Sequence, residues 1–331
     1  ERIQHTELPP QSRNQQNPTI LPINKVIIES KHIVLLGEPG SGKSTTLQYI
    51  GLCFAHPGWA KEKLQLDEAG IPVLIELGKI EDSLAKLGTT FLDHLIVPKV
   101  KECFDIHASE VEIRKAVVRW IDQGRLVLLL DGMDEIKYES TREKLTQFIN
   151  DRNIRKCRII LSSRPAGYSN PGNNFKEYRL KPLSQKSDVL SFVESWMKPL
   201  PSEGDYQFKY RAKKLLETLE KSEGMQKITD NPILLRLADV GFCSDQQVSK
   251  NRADLFRKYV EIVVWKRKDP TKSVPQENRL ESLRLLEKYA WRMQGGEKIP
   301  WNEQNDQMVF LRKQIGLISV YSIEGKQYIT F

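Results

Sequence analysis

Nine consecutive residues constrain this chain more than any other feature. Gly37-Glu38-Pro39-Gly40-Ser41-Gly42-Lys43-Ser44-Thr45 follows an apolar run at 33–36 and precedes a helical pattern over 46–54. The string satisfies G-x-x-x-x-G-K-[ST] in strand, loop, helix order. Such a loop requires these residue types. Gly37 and Gly42 are expected to let the backbone turn back, so that successive N–H groups face phosphate oxygens, and the helix N-terminus adds about half a positive charge. Lys43 is expected to reach the β- and γ-phosphates of a nucleoside triphosphate, and Ser44 to bind Mg²⁺.

The surrounding pattern says what carries the loop. Short apolar runs at 33–36, 72–77, 126–130 and 159–161, with a weaker one at 178–180, alternate with helical stretches. That alternation predicts a parallel α/β sheet. Before the third strand, Ile113, Ala116, Val117, Trp120 and Ile121 fall at helical spacing and Gly124 closes the helix. Residues 1–30 are polar, rich in Gln, Asn and Pro, with little periodicity before Ile20-Leu21, and read as a linker. Beyond about residue 183 helical patterns take over, at 188–197, 206–220, 232–240, 254–268 and 277–293. A shorter helical pattern at 308–314 is followed by two strand patterns, 317–321 and 326–331, turning at Glu324-Gly325, an order that suggests a winged helix. The expected organisation is a linker (1–30), a nucleotide-binding domain (31–183), a helical domain (184–245) and a winged-helix domain (246–331) cut short at its end.

Composition narrows the function classes. With 331 residues, 39% of them hydrophobic and 28% charged, the chain has the length of roughly two domains and a core that needs no disulfide framework. Its apolar runs are strand-sized, far below the ~18 residues of a membrane span, so no membrane partner and a cytoplasmic setting are expected. Four cysteines (Cys53, Cys103, Cys157, Cys243) form no C-x-x-C pair and are read as buried small apolar side chains, and with all five histidines in the first third no zinc site is legible. The +8 formal charge permits contact with phosphate without demanding it, because both signs are interspersed. The first residue is Glu1, from which a piece of a longer polypeptide is expected.

Two strand ends supply the remaining chemistry. The third apolar strand ends in Asp131-Gly132-Met133-Asp134-Glu135, at the carboxyl edge where open α/β sheets bind ligands. Asp131 is placed to hold the Mg²⁺ hydration shell opposite Ser44, and Asp134 and Glu135 are candidates to position or deprotonate an attacking water. A solvated acidic turn is the plain alternative. The fourth strand ends in Ser162-Ser163-Arg164-Pro165, where Arg164 could touch the γ-phosphate, or simply answer nearby carboxylates.

Together, 37–45, Asp131-Gly132-Met133-Asp134-Glu135, Ser162-Ser163-Arg164-Pro165 and Asn231-Pro232-Ile233-Leu234-Leu235 resemble the NACHT family of signal-transduction (STAND) NTPases. A small residue follows the magnesium aspartate and further acids come later, as Gly132, Asp134 and Glu135 do here. The resemblance spans roughly 30–331 and implies an AAA+-like nucleotide domain, a helical domain and a winged-helix domain closing over ATP or ADP with Mg²⁺. It implies that Pro232 packs against the adenine; by its residues alone Pro232 is a helix-starting proline behind an Asp230-Asn231 cap. Family members carry a histidine past a phenylalanine of the winged-helix hairpin, and no histidine follows His107 here, so that ADP clamp is expected outside the fragment. The function implied is a slow ATPase switch of a defence-type receptor, assembling with itself when ATP-bound, with effector and sensor domains outside the fragment. Two rivals stand beside it: a nucleotide-binding scaffold that never hydrolyses, and a turnover ATPase acting on nucleic acid, resting on the basic segment 266–272 and the winged helix. Trp265, however, stands at helical spacing from Tyr259 and Ile262, which suits a core position and makes DNA the weaker partner.

Overall fold

The structure, a computed structural model, describes residues 2–5, 19–56, 58–67, 70–79, 91–104, 109–136, 139–166, 168–183, 186–196, 205–221, 228–245, 254, 255, 257, 276–294, 297–302, 304–306, 308, 319–323 and 326–330. The chain forms two compact units: 1–184 with 231–233, and 185–230 with 234–331.

In chain order the first unit carries β1 (Arg2–His5), β2 (Thr19–Pro22), α1 (Ile23–Glu29), β3 (His32–Leu36), α2 (Lys43–Ala55), α3 (Trp59–Leu64) and β4 (Ile71–Glu76). A π-helical turn, Leu92–Ile96, then runs into α4 (Val97–Phe104), followed by α5 (Glu110–Asp122), β5 (Leu126–Asp131), α6 (Glu139–Asn150), β6 (Arg158–Ser163) and β7 (Lys176–Leu180). Among the described residues the sheet has seven strands, in the order β2-β1-β7-β3-β6-β5-β4. From β7 to β4 every pairing is parallel, as the alternation of strand and helix patterns predicts.

The apolar continuity of the strands has a direct cause. Successive side chains point to opposite faces, and both faces are covered. Val34, Leu36, Leu128, Leu130, Ile159 and Leu161 pack in one core with Ile113 and Val117 of α5 and Leu145 of α6. Ile33, Leu35, Val127, Leu129 and Ile160 pack in the other with Val26 and Ile27 of α1 and Leu47 and Ile50 of α2. Alternate residues of one strand therefore hold two different helix layers. Helix α5 begins in a capping box: the Glu112 amide donates to Ser109 Oγ at 3.4 Å, and the Ser109 amide donates to Glu112 Oε2 at 2.9 Å. It closes at Gly124, with φ +64°.

One expectation is corrected. The supposed linker over 1–30 is partly built into the domain, because β2 pairs with β1 and β1 adds antiparallel to β7. Helix α1 also buries Ile23, Val26 and Ile27, an i, i+3, i+4 stripe inside a segment that reads as polar overall.

The described cysteine side chains behave as expected. Cys53 and Cys157 are fully buried and form no disulfide among the described residues, and burial pushes the Cys157 thiol up to about 11. The side chains of Cys103 and Cys243 lie outside the described residues.

The second unit carries α7 (Lys186–Trp196), α8 (Asp205–Lys221), α9 (Pro232–Asp245) from residue 234 onward, α10 (Gln276–Gln294), and the antiparallel hairpin β8 (Ser319–Ile323) and β9 (Lys326–Thr330). Most of the predicted helices at 254–268 and 308–314, the turn at 324–325 and the basic segment 266–272 fall outside the described residues. No helix among the described residues is long and apolar enough to cross a membrane.

Candidate active site

Parallel register sets the tips of four strands side by side, with Leu36 beside Ser163 and Asp131 beside Glu76. The glycine-rich loop springs from the first of these tips. The Gly37 amide donates to Ser163 O at 3.2 Å, which ties the loop's start to β6. The Ser41 amide donates to Glu38 O at 3.1 Å, and Thr46 donates to Gly42 O through its amide at 2.8 Å and its hydroxyl at 3.0 Å. The left-handed residues of this loop are Gly40 and Gly42, at φ +76° and +97°. Gly37 was expected to share that role and does not. It is required for space, since a Cβ there would collide with Ser41 Oγ.

The residues present fit a phosphate chain. Lys43 Nζ folds back and donates to Gly37 O at 2.8 Å and Glu38 O at 3.2 Å. Burial lowers its pKa, Asp134 and Asp131 pull it upward, and Arg164 lowers it. A half-buried ammonium beside loop carbonyls is well suited to pairing with a phosphate oxygen, since a charge-assisted hydrogen bond is stronger than one to a neutral acceptor. Ser41 Oγ is likewise buried inside the loop, with no hydrogen-bond partner among the described residues. Ser44 and Thr45 stand exposed on the first turn of α2. The residues placed to hold Mg²⁺ are Ser44 and Asp131.

Asp131 is oriented by a serine that the sequence pattern does not single out. Ser162 is fully buried; its Oγ accepts the Gly132 amide at 2.8 Å and donates to Asp131 Oδ1. Removing it strands a buried N–H and frees the aspartate, so Ser162→Ala is expected to cost about 1–3 kcal/mol in urea unfolding. A change below ~0.5 kcal/mol would show that this link carries no stability.

Arg164 and Asp134 form one unit. Asp134 Oδ1 accepts the Arg164 amide at 2.9 Å while Oδ2 pairs with the guanidinium Nε at 2.9 Å. Both oxygens of Asp134 are thereby engaged in holding the arginine.

Glu135 is arranged differently. Burial of its carboxyl, then the charges of Asp134 and Asp131, push its pKa upward, with Arg164 opposing. Its side chain lies across two glycines. A Cβ at Gly78 would strike its carboxylate and sit 3.1 Å from its Cβ; one at Gly132, where φ is +83°, would come within 3.0 Å of its Cδ. Glu76, at the neighbouring strand tip, adds a further negative charge.

Pro232 stands at the first position of α9, behind Asn231. Asn231 Oδ1 accepts the Ile233 amide at 3.0 Å, the cap expected from the residues, while its Nδ2 donates to Pro39 O in the phosphate loop at 2.8 Å. The contact to the loop has no counterpart in the sequence pattern.

The NACHT domain model matches residues 31–198. No curated protein sequence matches the chain. Among solved structures, the chain is similar to a Signal Transduction ATPase with Numerous Domains (STAND) protein with a tetratricopeptide repeat sensor from Pyrococcus horikoshii, at 16% identity and TM-score 0.37. That match covers 93% of this chain, which spans only 40% of that protein. It is similar to Cdc6p of Pyrobaculum aerophilum at 14% identity and TM-score 0.36, over 90% of this chain and 82% of that one. It is similar to the Aeropyrum pernix ORC1 protein, solved in complex with DNA, at 13% identity and TM-score 0.39, over 91% and 83%.

Proposed function

This chain belongs to the NACHT family of nucleotide-hydrolysing domains, and from that premise we propose an ATP/ADP-dependent switch that binds Mg-ATP, hydrolyses it slowly and assembles with itself in the ATP state. The observation that carries the proposal is geometric convergence: the loop bearing Lys43 is tied to β6 by the Gly37 amide, and the neighbouring parallel strand ends of β5 and β6 bring Asp131 and the paired Asp134 and Arg164 to the same edge of the sheet.

Each residue then has a task. Lys43 and the loop amides bind the phosphates, the unpaired Ser41 hydroxyl offers one further donor, and Pro232 packs against the adenine. Ser44 and Asp131 would hold Mg²⁺, which would supply neutralisation of charge on the phosphates. Arg164, kept at the edge by Asp134, contacts the terminal phosphate, and Glu135 takes the proton of the attacking water. Magnitudes limit what Arg164 can do alone. One charge-assisted hydrogen bond contributes about 1.5–3 kcal/mol, whereas taking a two-state equilibrium from 1:99 to 99:1 requires about 5.5. The helical domain (184–245), the winged-helix domain (246–331) and sensor or effector segments outside this chain therefore share the switching, in a cytoplasmic defence-type receptor.

The test is the nucleotide content of freshly purified protein after denaturation, followed by steady-state turnover. Bound ADP and turnover well below the ~10 per second of a median enzyme are expected. Turnover at or above that rate, raised by added DNA, would replace the switch with a nucleic-acid-acting ATPase.

A further inference from the structure

We propose that Asn231 is a positioning residue for the phosphate loop, setting how long a nucleotide stays bound. The inference rests on the nucleotide reading above and goes one residue beyond it.

The geometry is specific. Asn231 uses both ends of its amide: Oδ1 caps α9 through the Ile233 amide at 3.0 Å, and Nδ2 donates to Pro39 O at 2.8 Å, across 192 positions of sequence. Pro39 O belongs to the peptide joining Pro39 to Gly40. In a planar trans peptide the C=O and the N–H point in opposite directions. Holding that carbonyl toward Asn231 therefore turns the Gly40 N–H to the opposite side of the loop. Gly40 has φ +76°, and its missing side chain leaves the space filled by Ile233 Cγ2 and by Asn231 Oδ1, 2.7 Å from where a Cβ would stand. Contact and backbone conformation support each other here: the asparagine donor braces the Pro39–Gly40 peptide against a flip that a glycine at Gly40 would otherwise permit.

A flipped peptide would present a carbonyl where the cradle needs a donor. The consequence falls on phosphate retention and leaves the hydrolytic residues Asp131, Glu135 and Arg164 in place. Asn231 is thus a positioning group, and its effect belongs in the nucleotide's release rate.

Substitution separates this role from the helix cap. Asn231→Asp keeps an oxygen for the Ile233 amide but sets a carboxylate against Pro39 O. Asn231→Ser keeps a capping oxygen too short to reach Pro39. The experiment is stopped-flow release of a fluorescent methylanthraniloyl-ADP from the whole chain, with a thermal melt of each nucleotide-free variant. Both variants are expected to melt with the wild type and to release the analogue about tenfold faster, the size of one lost hydrogen bond. A variant that melts normally and releases at the wild-type rate overturns the proposal. Should Asn231→Asp alone lower the melt, the serine variant's release rate decides the matter in the same way. Failure of the wild type to bind the analogue at all would instead remove the nucleotide reading itself.

Discussion

Lys43→Ala is expected to lower nucleotide affinity at least a hundredfold, about 2.7 kcal/mol or more, while leaving the nucleotide-free fold intact. The two halves of this outcome have one cause. The ammonium is half buried and donates to Gly37 O and Glu38 O, and burial lowers its pKa. A lysine whose pKa falls on folding binds its proton more weakly in the native state, so its charge opposes folding at neutral pH, and stability rises as pH climbs toward its unfolded value. Removing the charge therefore relieves a cost in the free protein and removes the strongest attraction for phosphate. Calorimetry with ADP and ATP, beside a melt without nucleotide, checks both. The melt should move by no more than the roughly 2–4 °C that 1 kcal/mol gives in a domain of this size. Unchanged affinity would remove the phosphate site from the loop.

What could be read from the sequence follows physical range. The central parallel strands β3, β5 and β6 were legible because they are buried on both faces and so appear as nearly unbroken apolar runs. The loop was legible because its chemistry is local, compressed into nine residues. Helix α5 announced itself by a stripe, a cap and a terminal glycine. What escaped notice depends on distant partners. The pairing of β1 with β7 joins the two ends of the domain, and a short polar strand carries no sign of its neighbour. Asn231 looks like any helix cap until Pro39 is seen beside it. Ser162 carries no sign of its role in the strand end Ser162-Ser163-Arg164-Pro165, because its bond to Asp131 crosses 31 positions. The pair Asp134 and Glu135 could not be divided between water and arginine from spacing alone, since adjacent residues in a tight turn can face either way. In the structure Asp134 holds Arg164 at both oxygens while Glu135 lies against Gly78 and Gly132, and on the function proposed above that leaves Glu135 for the water.

That division makes Glu135→Gln the most severe substitution for hydrolysis, with a loss of about 10²–10⁴ in single-turnover rate and little change in nucleotide affinity. A general base must give up its own proton first. The Glu135 carboxyl is pushed upward by burial and by Asp134 and Asp131, so the wild-type rate should begin to fall, on acidification, above the ~4.3 of an ordinary glutamate. The glutamine variant has no such group, and its residual rate should lose that acid limb. Stability gives an independent control of sign. A carboxyl whose pKa rises on folding favours the native state when protonated and opposes it when charged, so its contribution worsens as pH rises through the interval between the unfolded and folded values. At neutral pH the glutamine variant is therefore expected to be no less stable than wild type, which separates lost chemistry from lost fold. Asp134→Asn should behave otherwise: an asparagine still accepts the Arg164 amide but no longer pairs with the guanidinium. The rate then falls because Arg164 is no longer held, and the acid limb set by Glu135 remains, moved downward because one of the charges raising it has gone. If instead Asp134→Asn abolishes the acid limb and Glu135→Gln preserves it, the two carboxylates exchange roles and Asp134 is the base.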